Sequence, residues 1–272
     1  MDPLSLTVIF ITKNEEFHIG DAIENVKDIA ERILVVDSGS ADKTTQIAEA
    51  KGAKVVYHEF ENFGKQWNFA LGLPVTSEWT MKMDPDERLS DKLKVEISQE
   101  IKSAKNDISG FSFDRVLWFM GARLSGVRGR VVRIWRTGKC RFSDVKVNEH
   151  PIVVGRVKQL HYVMEHYDSR DLAHWVDKQN KYSTDEAMMR HNREKLSAEP
   201  RLFGTSLERR MWVKKFFFWV PCRYLLMNFY LFFFKGAWKS GRAGWRWVKC
   251  REMVMRIREY KYIEMQRSFG SR

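Results

Sequence analysis

Three carboxylates stand close together in the segment WTMKMDPDERLS, residues 79–90: Asp84, Asp86 and Glu87. Carboxylates at this spacing offer hard oxygen ligands that suit Mg²⁺ or Mn²⁺. A divalent cation held there would stabilise the negative charge that develops on a leaving diphosphate. The alternative is an acidic turn that caps the following helix through its dipole. Because an isolated D-x-D pair is a weak signal, the surrounding elements must decide between these two interpretations.

Strand-like and helix-like patterns alternate over the first hundred residues. The four predicted strands are LTVIFI (6–11), RILVVD (32–37), AKVVYHE (53–59) and EWTMKMD (78–84). Strands that are separated by helices of this length imply right-handed crossovers and a mostly parallel sheet. Closely spaced β-like runs between residues 110 and 163 predict antiparallel additions to that sheet. We therefore predict an α/β fold in which helices flank a mostly parallel sheet.

Polar segments follow three of the predicted strands directly: TKNEE (12–16), DSGS (37–40) and DPDE (84–87). In open α/β sheets, ligands bind at the carboxyl ends of the strands, so these segments are expected to face one crevice. Pro85 agrees with this placement, because a proline cannot donate to a ladder and a central strand must end at or before it. The sequence contains neither G-x-G-x-x-G nor G-x-x-x-x-G-K-[ST]. Without such a phosphate-binding loop, a phosphorylated ligand would need a divalent cation.

Basic residues concentrate at the C-terminal end of the chain. The 272 residues carry a net charge of +12, and residues 201–272 hold 17 Lys and Arg against 4 Asp and Glu. Residues 1–200 therefore sum to −1. This asymmetry predicts an anionic partner for the C-terminal segment, either a membrane surface or nucleic acid. The contents of 44% hydrophobic and 30% charged residues exclude a wholly disordered chain.

The stretch FFFWVPCRYLLMNFYLFFF, residues 216–234, contains seven phenylalanines. It is just long enough to span a bilayer, but Pro221, Arg223 and Asn228 lie inside it. A charge at the bilayer centre is costly, and aromatic side chains prefer the headgroup level. We therefore favour helices that lie in the interface of an anionic membrane over a transmembrane span. The alternative is an ordinary buried aromatic helix.

Cysteine content and the N-terminal residues bear on the compartment. Cys140, Cys222 and Cys250 form no C-x-x-C pair, which gives no support to a zinc knuckle or a disulfide framework and favours a reducing compartment. The N-terminal apolar run has no basic residues before it, so it is predicted to be a first strand rather than a signal peptide.

Four segments in order, VIFITKNEE, ILVVDSGSADKT, FGKQWNFAL and MKMDPDE, resemble the signature segments of family 2 glycosyltransferases. The resemblance implies a GT-A-type, Rossmann-like fold. The later segments GFSFDRV, VNEHPIV and HYDSRDLAHWVDKQNKYS resemble the branch that includes lipopolysaccharide core β-1,4-glucosyltransferases. Together these similarities cover roughly residues 4 to 192, and they weaken through the aromatic stretch.

The resemblance implies a donor site made of residues at the strand ends and on the third helix. Asp37 would contact the uracil or ribose, with Ser38 and Ser40 ordering its turn. Asp84 would lie near the ribose and diphosphate, and Asp86, assisted by Asp84, would hold Mg²⁺ or Mn²⁺. The remaining donor-binding residues implied by the family pattern are Thr12, Asn14, Glu15, Lys65 and Asn68.

The resemblance also implies a general base. An inverting transferase must deprotonate the acceptor hydroxyl as it attacks the anomeric carbon. Glu149, in VNEHP, occupies the family position of that base, and Asp144 is the next candidate. The family pattern shows a small residue where Pro85 stands and a histidine where Asn148 stands. His161 and His166 are expected to serve structure or acceptor binding. Of the alternating arginines Arg128, Arg130, Arg133 and Arg136, half are expected to face solvent, and one or two could meet phosphates of an anionic acceptor.

The resulting hypothesis is an inverting, metal-dependent glycosyltransferase. It would move a sugar, with glucose favoured, from a UDP-linked donor to a lipid-anchored acceptor such as lipopolysaccharide core, peripherally at the cytoplasmic face of the bacterial inner membrane. Residues 1–105 would form the nucleotide-sugar-binding half of the GT-A domain, 106–195 its acceptor-binding and catalytic half, and 196–272 a helical membrane-associating extension. One alternative is transfer to polyprenyl phosphate or a polysaccharide. Another is a non-catalytic basic protein that binds a membrane or nucleic acid, although an acidic crevice would repel nucleic acid.

Overall fold

The computed structural model describes residues 4–143, 150–194, 196 and 198–269. The chain divides into two compact units. The first comprises Met1–Val116 and Gly129–Tyr167, and the second comprises Leu117–Arg128 and Asp168–Arg272. The functional division at residues 105 and 195 stays a prediction.

Parallel strands form one half of the main sheet, as the sequence predicts. The strands run in the order β3-β2-β1-β4 and each adjacent pair is parallel. Their bounds are β1 Leu4–Thr12, β2 Ala30–Asp37, β3 Lys54–Tyr57 and β4 Trp79–Met83. The helices that connect them are α1 Ile19–Val26, α2 Thr44–Ala50 and α3 Phe63–Gly72. The α/β prediction is therefore confirmed.

Strand β1 is buried on both faces, as expected for a central strand of a parallel sheet. Val8 and Phe10 belong to the cluster that Ile19 and Ile23 of α1 complete. Ile9 points to the opposite face and packs in a second cluster with Trp67 of α3. Each such side chain contributes about 1.5–3 kcal/mol when it is fully buried. These two cores hold the carboxyl ends of the strands, and the loops that follow them, in fixed positions.

Antiparallel pairing extends the same sheet on the far side of β4. Its full order is β3-β2-β1-β4-β7-β6-β10-β5, and the β4–β7 and β10–β5 pairs are antiparallel. The added strands are β5 Glu87–Leu89, β6 Ile108–Phe119, β7 Ala122–Arg136 and β10 Arg156–His166, with α4 Asp91–Lys102 between β5 and β6. Strands β8 Cys140–Phe142 and β9 Pro151–Val153 pair separately. The sequence predicts these antiparallel additions but not β5.

The second unit is mainly helical. Its helices are α5 Leu172–His191, α6 Ser206–Phe216, α7 Arg223–Phe229 and α8 Gly241–Phe269. The turn ends of β6 and β7 contribute Phe119 and Leu124 to its core, where Trp175 and Val248 are also buried. A Cβ atom on Gly126 would lie 1.9 Å from the carbonyl oxygen of Gly236, so this close approach requires glycine.

The aromatic stretch 216–234 forms short helical turns with many exposed side chains. Trp219 is 82% exposed, Phe234 is 74% exposed and Leu225 is 69% exposed. Among the residues that the structure describes, no helix has both the length and the apolar character needed to cross a bilayer.

Candidate functional site

The acidic segment DPDE forms a closed turn between β4 and β5. Strand β4 ends at Met83, two residues before Pro85, as the sequence predicts. The backbone N–H of Asp84 donates to Oε2 of Glu87 across 3.0 Å, and the N–H of Glu87 donates back to the Asp84 carbonyl, also across 3.0 Å. The following helix α4 is capped by Ser90, whose Oγ accepts from the N–H of Leu93. The carboxylates therefore do not serve as that helix's cap.

Two buried cations flank the Asp84 carboxylate. Arg133, on β7, donates from Nη2 to Oδ2 of Asp84 across 2.8 Å. The Lys82 Nζ lies 3.8 Å from Oδ1 and stands 4.4 Å from the centre of the Trp67 ring. Burial raises the pKa of Asp84, but Lys82 and then Arg133 outweigh burial and lower the pKa to about 2. Asp84 is therefore ionised and already charge-compensated by the protein.

Glu87 is fully buried and holds the same arginine from the other side. Its carboxylate forms an ion pair with Arg133 and accepts a hydrogen bond from Arg115 Nη1 across 3.3 Å. Burial lowers the pKa of Arg133, but the opposing effect of the Glu87 charge, and then of the Asp84 charge, is larger. The net pKa lies above the ordinary value, so the guanidinium stays charged. Arg133 is therefore not one of the alternating arginines that face solvent, because its side chain is buried beneath the acidic turn.

Asp86 lies against a histidine. Nε2 of His166, at the end of β10, is 3.2 Å from Oδ2 of Asp86, and both side chains are largely buried. The N–H of Tyr167 donates to the Asp86 carbonyl across 2.8 Å. Strand β5 causes this meeting, because its pairing with β10 places His166 opposite Glu87. A carboxylate and an imidazole side by side are two ligands that a divalent metal accepts.

The sequence alone gives His166 no metal-binding role. The only local signal was its position at a strand end, which His161 shares in the same run. In the structure His161 lies next to Glu96, with Nδ1 2.7 Å from Oε1 of that residue. His166, and not His161, meets Asp86 because β5 pairs with the end of β10, and no sequence pattern predicted β5.

The loops after β1 and β2 are joined by hydrogen bonds. Thr12 Oγ1 donates to Oδ1 of Asp37 across 2.9 Å, and Oδ2 of Asp37 accepts the N–H groups of Gly39 and Ser40. The N–H of Asn14 donates to Ser40 Oγ, and Asn14 Oδ1 accepts the N–H of Ala41, each across 2.8 Å. The structure thus brings these predicted donor-site residues together at the carboxyl ends of β1 and β2.

Glu15 belongs to the same pair of loops. Its N–H donates to Thr44 Oγ1, at the start of α2, across 2.7 Å. Asp37 is predicted to contact the nucleotide. In the structure its carboxylate also orders the turn that follows it, a role that the sequence analysis gave to Ser38 and Ser40. Gln66 donates to Ser38 Oγ across 3.0 Å, which ties this turn to α3.

The two predicted donor-site residues on α3 have intramolecular partners. Lys65 forms an ion pair with Glu61 at the helix start. The Asn68 side chain donates to the Phe142 carbonyl across 3.0 Å and accepts the Phe142 N–H across 2.8 Å, so it fastens β8 to α3. The predicted base Glu149 and its alternative Asp144 lie outside the described residues.

A protein family and several known proteins resemble this chain. The family model described as Glycosyl transferase family 2 matches residues 7–127. An uncharacterized glycosyltransferase of Rickettsia felis is 31% identical over 196 residues, covering 67% of this chain and 69% of the relative. An uncharacterized glycosyltransferase of Rickettsia typhi is 28% identical over 195 residues, covering 67% of this chain and 66% of the relative. The chain therefore matches just under two thirds of the length of that relative.

Two solved structures are also similar. Mannosyl-3-phosphoglycerate synthase from Rubrobacter xylanophilus matches with a TM-score of 0.44 and 12% identity, covering 72% of this chain and 78% of that one. Glucosyl-3-phosphoglycerate synthase from Mycobacterium tuberculosis, in complex with Mn²⁺, UDP and glucosyl-3-phosphoglycerate, matches with a TM-score of 0.34 and 21% identity. That second match covers 42% of this chain and 44% of the mycobacterial one.

Proposed function

The chain belongs to glycosyl transferase family 2, and from this premise we propose that it moves a sugar from a UDP-linked donor to a lipid-anchored saccharide with inversion at the anomeric carbon. The observation that carries the proposal is the pairing of Asp86 with His166 at the end of β4, beside the charge-compensated Asp84. This arrangement suits a diphosphate and its counter-cation better than a neutral ligand.

The two carboxylates of the D-x-D pair take different parts. Asp84 has its charge compensated by Lys82 and Arg133, so it is fixed in place to accept hydrogen bonds from the donor's ribose. Asp86 and His166 would hold the metal, with ligand atoms that are already 3.2 Å apart. A carboxylate together with an imidazole favours Mn²⁺ over Mg²⁺, which prefers an all-oxygen shell. The bound cation would neutralise charge on the leaving diphosphate.

Transfer with inversion requires one proton to leave the acceptor. Glu149 would take the proton from the acceptor hydroxyl while that oxygen bonds to the anomeric carbon of the donor. The bond from the anomeric carbon to the diphosphate oxygen breaks in the same step, and UDP leaves with the electron pair. This part of the proposal rests on the family resemblance of VNEHP.

The choice of a lipid-anchored acceptor, with glucose as the favoured sugar, rests on the C-terminal segment and the sequence resemblance. Exposed Trp219, Phe234 and Trp238 stand among the basic residues of a segment whose net charge is +13. Aromatic rings favour the headgroup level of a bilayer, and lysine and arginine favour anionic lipids. We place the enzyme peripherally on the cytoplasmic face of a bacterial inner membrane, where a lipid-linked acceptor is concentrated.

A donor screen with the purified protein tests the proposed function. Nucleotide sugars are supplied singly with Mn²⁺, and thermal stabilisation and sugar release are measured for each. We expect UDP-linked sugars to stabilise the protein and to be hydrolysed slowly, and a chelator to abolish both effects. Asp86→Ala should lose the response, while Asp91→Ala, at a fully exposed carboxylate, should keep it. A protein that no nucleotide sugar stabilises, and that hydrolyses none of them, would contradict the proposal.

A further inference from the structure

The second unit contains a cavity that no residue of the proposed donor site lines. Its volume is about 360 Å³, which lies within the range of roughly 300–1,000 Å³ that is typical of small-molecule sites. The walls come from two segments: the end of β6 with the turn that follows it, and residues 168–175 around the start of α5. Such a site needs apolar walls for contact and a few polar groups for orientation, and this cavity has both.

The end of β6 and the turn that follows it supply the apolar wall. Trp118 and Met120 line it, and Leu172 of α5 adds to it. Phe119, between them in sequence, is buried and packs edge-on against Trp175 with ring centres 5.4 Å apart. That contact fixes the backbone from which Trp118 and Met120 project. An indole ring so held presents a rigid amphipathic surface at low entropic cost.

Met120 is an unusual residue for its position. It and Gly121 form a two-residue turn, and both have positive φ, 50° and 72°. Such hairpin turns favour Asn-Gly or Asp-Gly, because a side chain with a Cβ is disfavoured in the left-handed region. The Met120 side chain is 54% exposed, so burial in the core does not offset the strain. Strained residues of this kind concentrate at ligand-binding sites.

Two fixed carboxylates supply the polar wall. Asp168 pairs with Lys178 Nζ across 3.0 Å, and Oδ1 of Asp171 accepts the N–H of His174 across 2.7 Å. The second carboxylate oxygen of Asp171 lies 3.4 Å from Nε of Arg170. Carboxylates and a guanidinium alternate along this wall, which favours a neutral ligand with many hydroxyls over a polyanion such as a nucleotide.

We infer that this cavity binds a pyranose ring of the acceptor saccharide, with its C–H face on Trp118 and Met120 and its hydroxyls on Asp168 and Asp171. A sugar ring has one apolar face and a rim of hydroxyls, and the two walls match these surfaces. The identification of that sugar as the acceptor rests on the proposed function.

Saturation-transfer difference NMR on the full-length protein tests this inference. The probes are methyl β-D-glucopyranoside, methyl β-D-galactopyranoside and lactose, each without any donor. We expect at least one probe to receive saturation through its ring C–H protons. In a titration followed by this signal, Trp118→Ala should raise the dissociation constant of the saccharide by about tenfold, which corresponds to ~1.4 kcal/mol of binding. No signal from the unaltered protein, or an undiminished signal in a folded Trp118→Ala variant, would overturn the inference.

A second variant decides the matter if Trp118→Ala does not fold. Met120→Asn places the residue that the turn prefers at φ 50°, so it should raise the melting temperature while weakening saccharide binding. Met188→Ala, at a methionine of α5 that is 47% exposed, is the matched control and should keep the signal. Loss of the signal in Met188→Ala would count against the cavity. If Trp118→Ala is unfolded, an unchanged signal in Met120→Asn would also count against it.

Titration with UDP and Mn²⁺ separates this inference from the proposed function. UDP binding without any saccharide signal overturns the saccharide cavity and leaves the proposed donor chemistry intact. A saccharide signal that Trp118→Ala removes, in a protein that binds no UDP, supports the cavity and contradicts the proposed donor.

Discussion

Arg133 donates a hydrogen bond to Asp84 across 2.8 Å, and the same guanidinium pairs with the fully buried Glu87. One arginine on β7 therefore fixes both ends of the acidic turn that follows β4. Asp86, the middle carboxylate, lies next to His166. The turn thus separates a compensated carboxylate from a potential metal ligand two residues away.

Removal of the Arg133 guanidinium should destabilise the protein strongly. Arg133→Met leaves Glu87 buried without its main partner, and breaking a buried pair in this way costs about 3–5 kcal/mol. Urea unfolding measures the loss, with Arg128→Met as the control at an exposed arginine, where we expect a change within about 0.5 kcal/mol. Adding Glu87→Gln to Arg133→Met should recover part of the loss, and strict additivity of the two changes would show that the pair is not coupled.

The lowered pKa of Asp84 should appear in the pH dependence of stability. Its folded pKa of about 2 lies below the ordinary value of 3.8, so the ionised carboxylate contributes stability above pH 3.8. That contribution is lost as the pH falls through 2. Asp84→Asn should therefore be less stable than the parent at pH 6, and the difference should shrink toward pH 2. Unfolding free energies of the two proteins that stay parallel across this range would contradict the assignment.

Loss of His166 should weaken metal binding without disturbing the fold. His166→Ala removes one of two adjacent ligands. Loss of a residue that only supports a metal ligand typically lowers metal affinity by roughly 10–100-fold, so we expect the Mn²⁺ affinity to fall by at least that factor. Calorimetric titration with Mn²⁺ measures this directly, and sugar transfer should fall with it. His161→Ala is the matched control, since that side chain is 85% exposed and lies against Glu96. Equal Mn²⁺ affinities in the two variants would exclude His166 as a ligand.

Replacement of Glu149 should slow the chemical step and spare donor binding. Glu149→Gln keeps the side-chain size but cannot accept a proton, and a general base contributes about 10²–10⁴-fold to the rate. Transfer to a saccharide acceptor should fall by that factor while UDP affinity stays the same. Asp144→Asn provides the comparison. If that variant, rather than Glu149→Gln, loses the activity, Asp144 is the base.

Local patterns in the sequence were sufficient for much of this site. Apolar runs and Pro85 predicted where β4 ends, and the parallel topology brought Thr12, Asp37 and Asp84 to one edge of the sheet. Strand β5 escaped prediction because it is only three residues long and consists of a glutamate, an arginine and a leucine. Its pairing with β10 depends on tertiary contacts between segments almost 80 residues apart.

The partners of the acidic turn were hidden for the same reason. Arg133 lies in a run of alternating arginines that looks solvent-facing, and Lys82 looks like an ordinary polar residue of a strand. Both are buried, Arg133 against Asp84 and Glu87, and Lys82 stacked over Trp67 of α3. Charge burial of this kind depends on which strands become neighbours, and no local pattern encodes that.

The exposed aromatic stretch should bind anionic bilayers. We expect the protein to float with vesicles that contain phosphatidylglycerol, and to float less with phosphatidylcholine alone or at high salt. Each basic residue contributes about 1 kcal/mol near an anionic surface, and salt screens this contribution. The double variant Trp219→Ser, Phe234→Ser removes two of its most exposed rings and should reduce flotation. Phe203→Ser is the matched control, because Phe203 is 97% exposed but lies outside residues 216–234. Equal losses in the two variants would indicate that exposed aromatic surface acts anywhere in the chain, whereas a loss confined to the double variant assigns the membrane contact to this stretch.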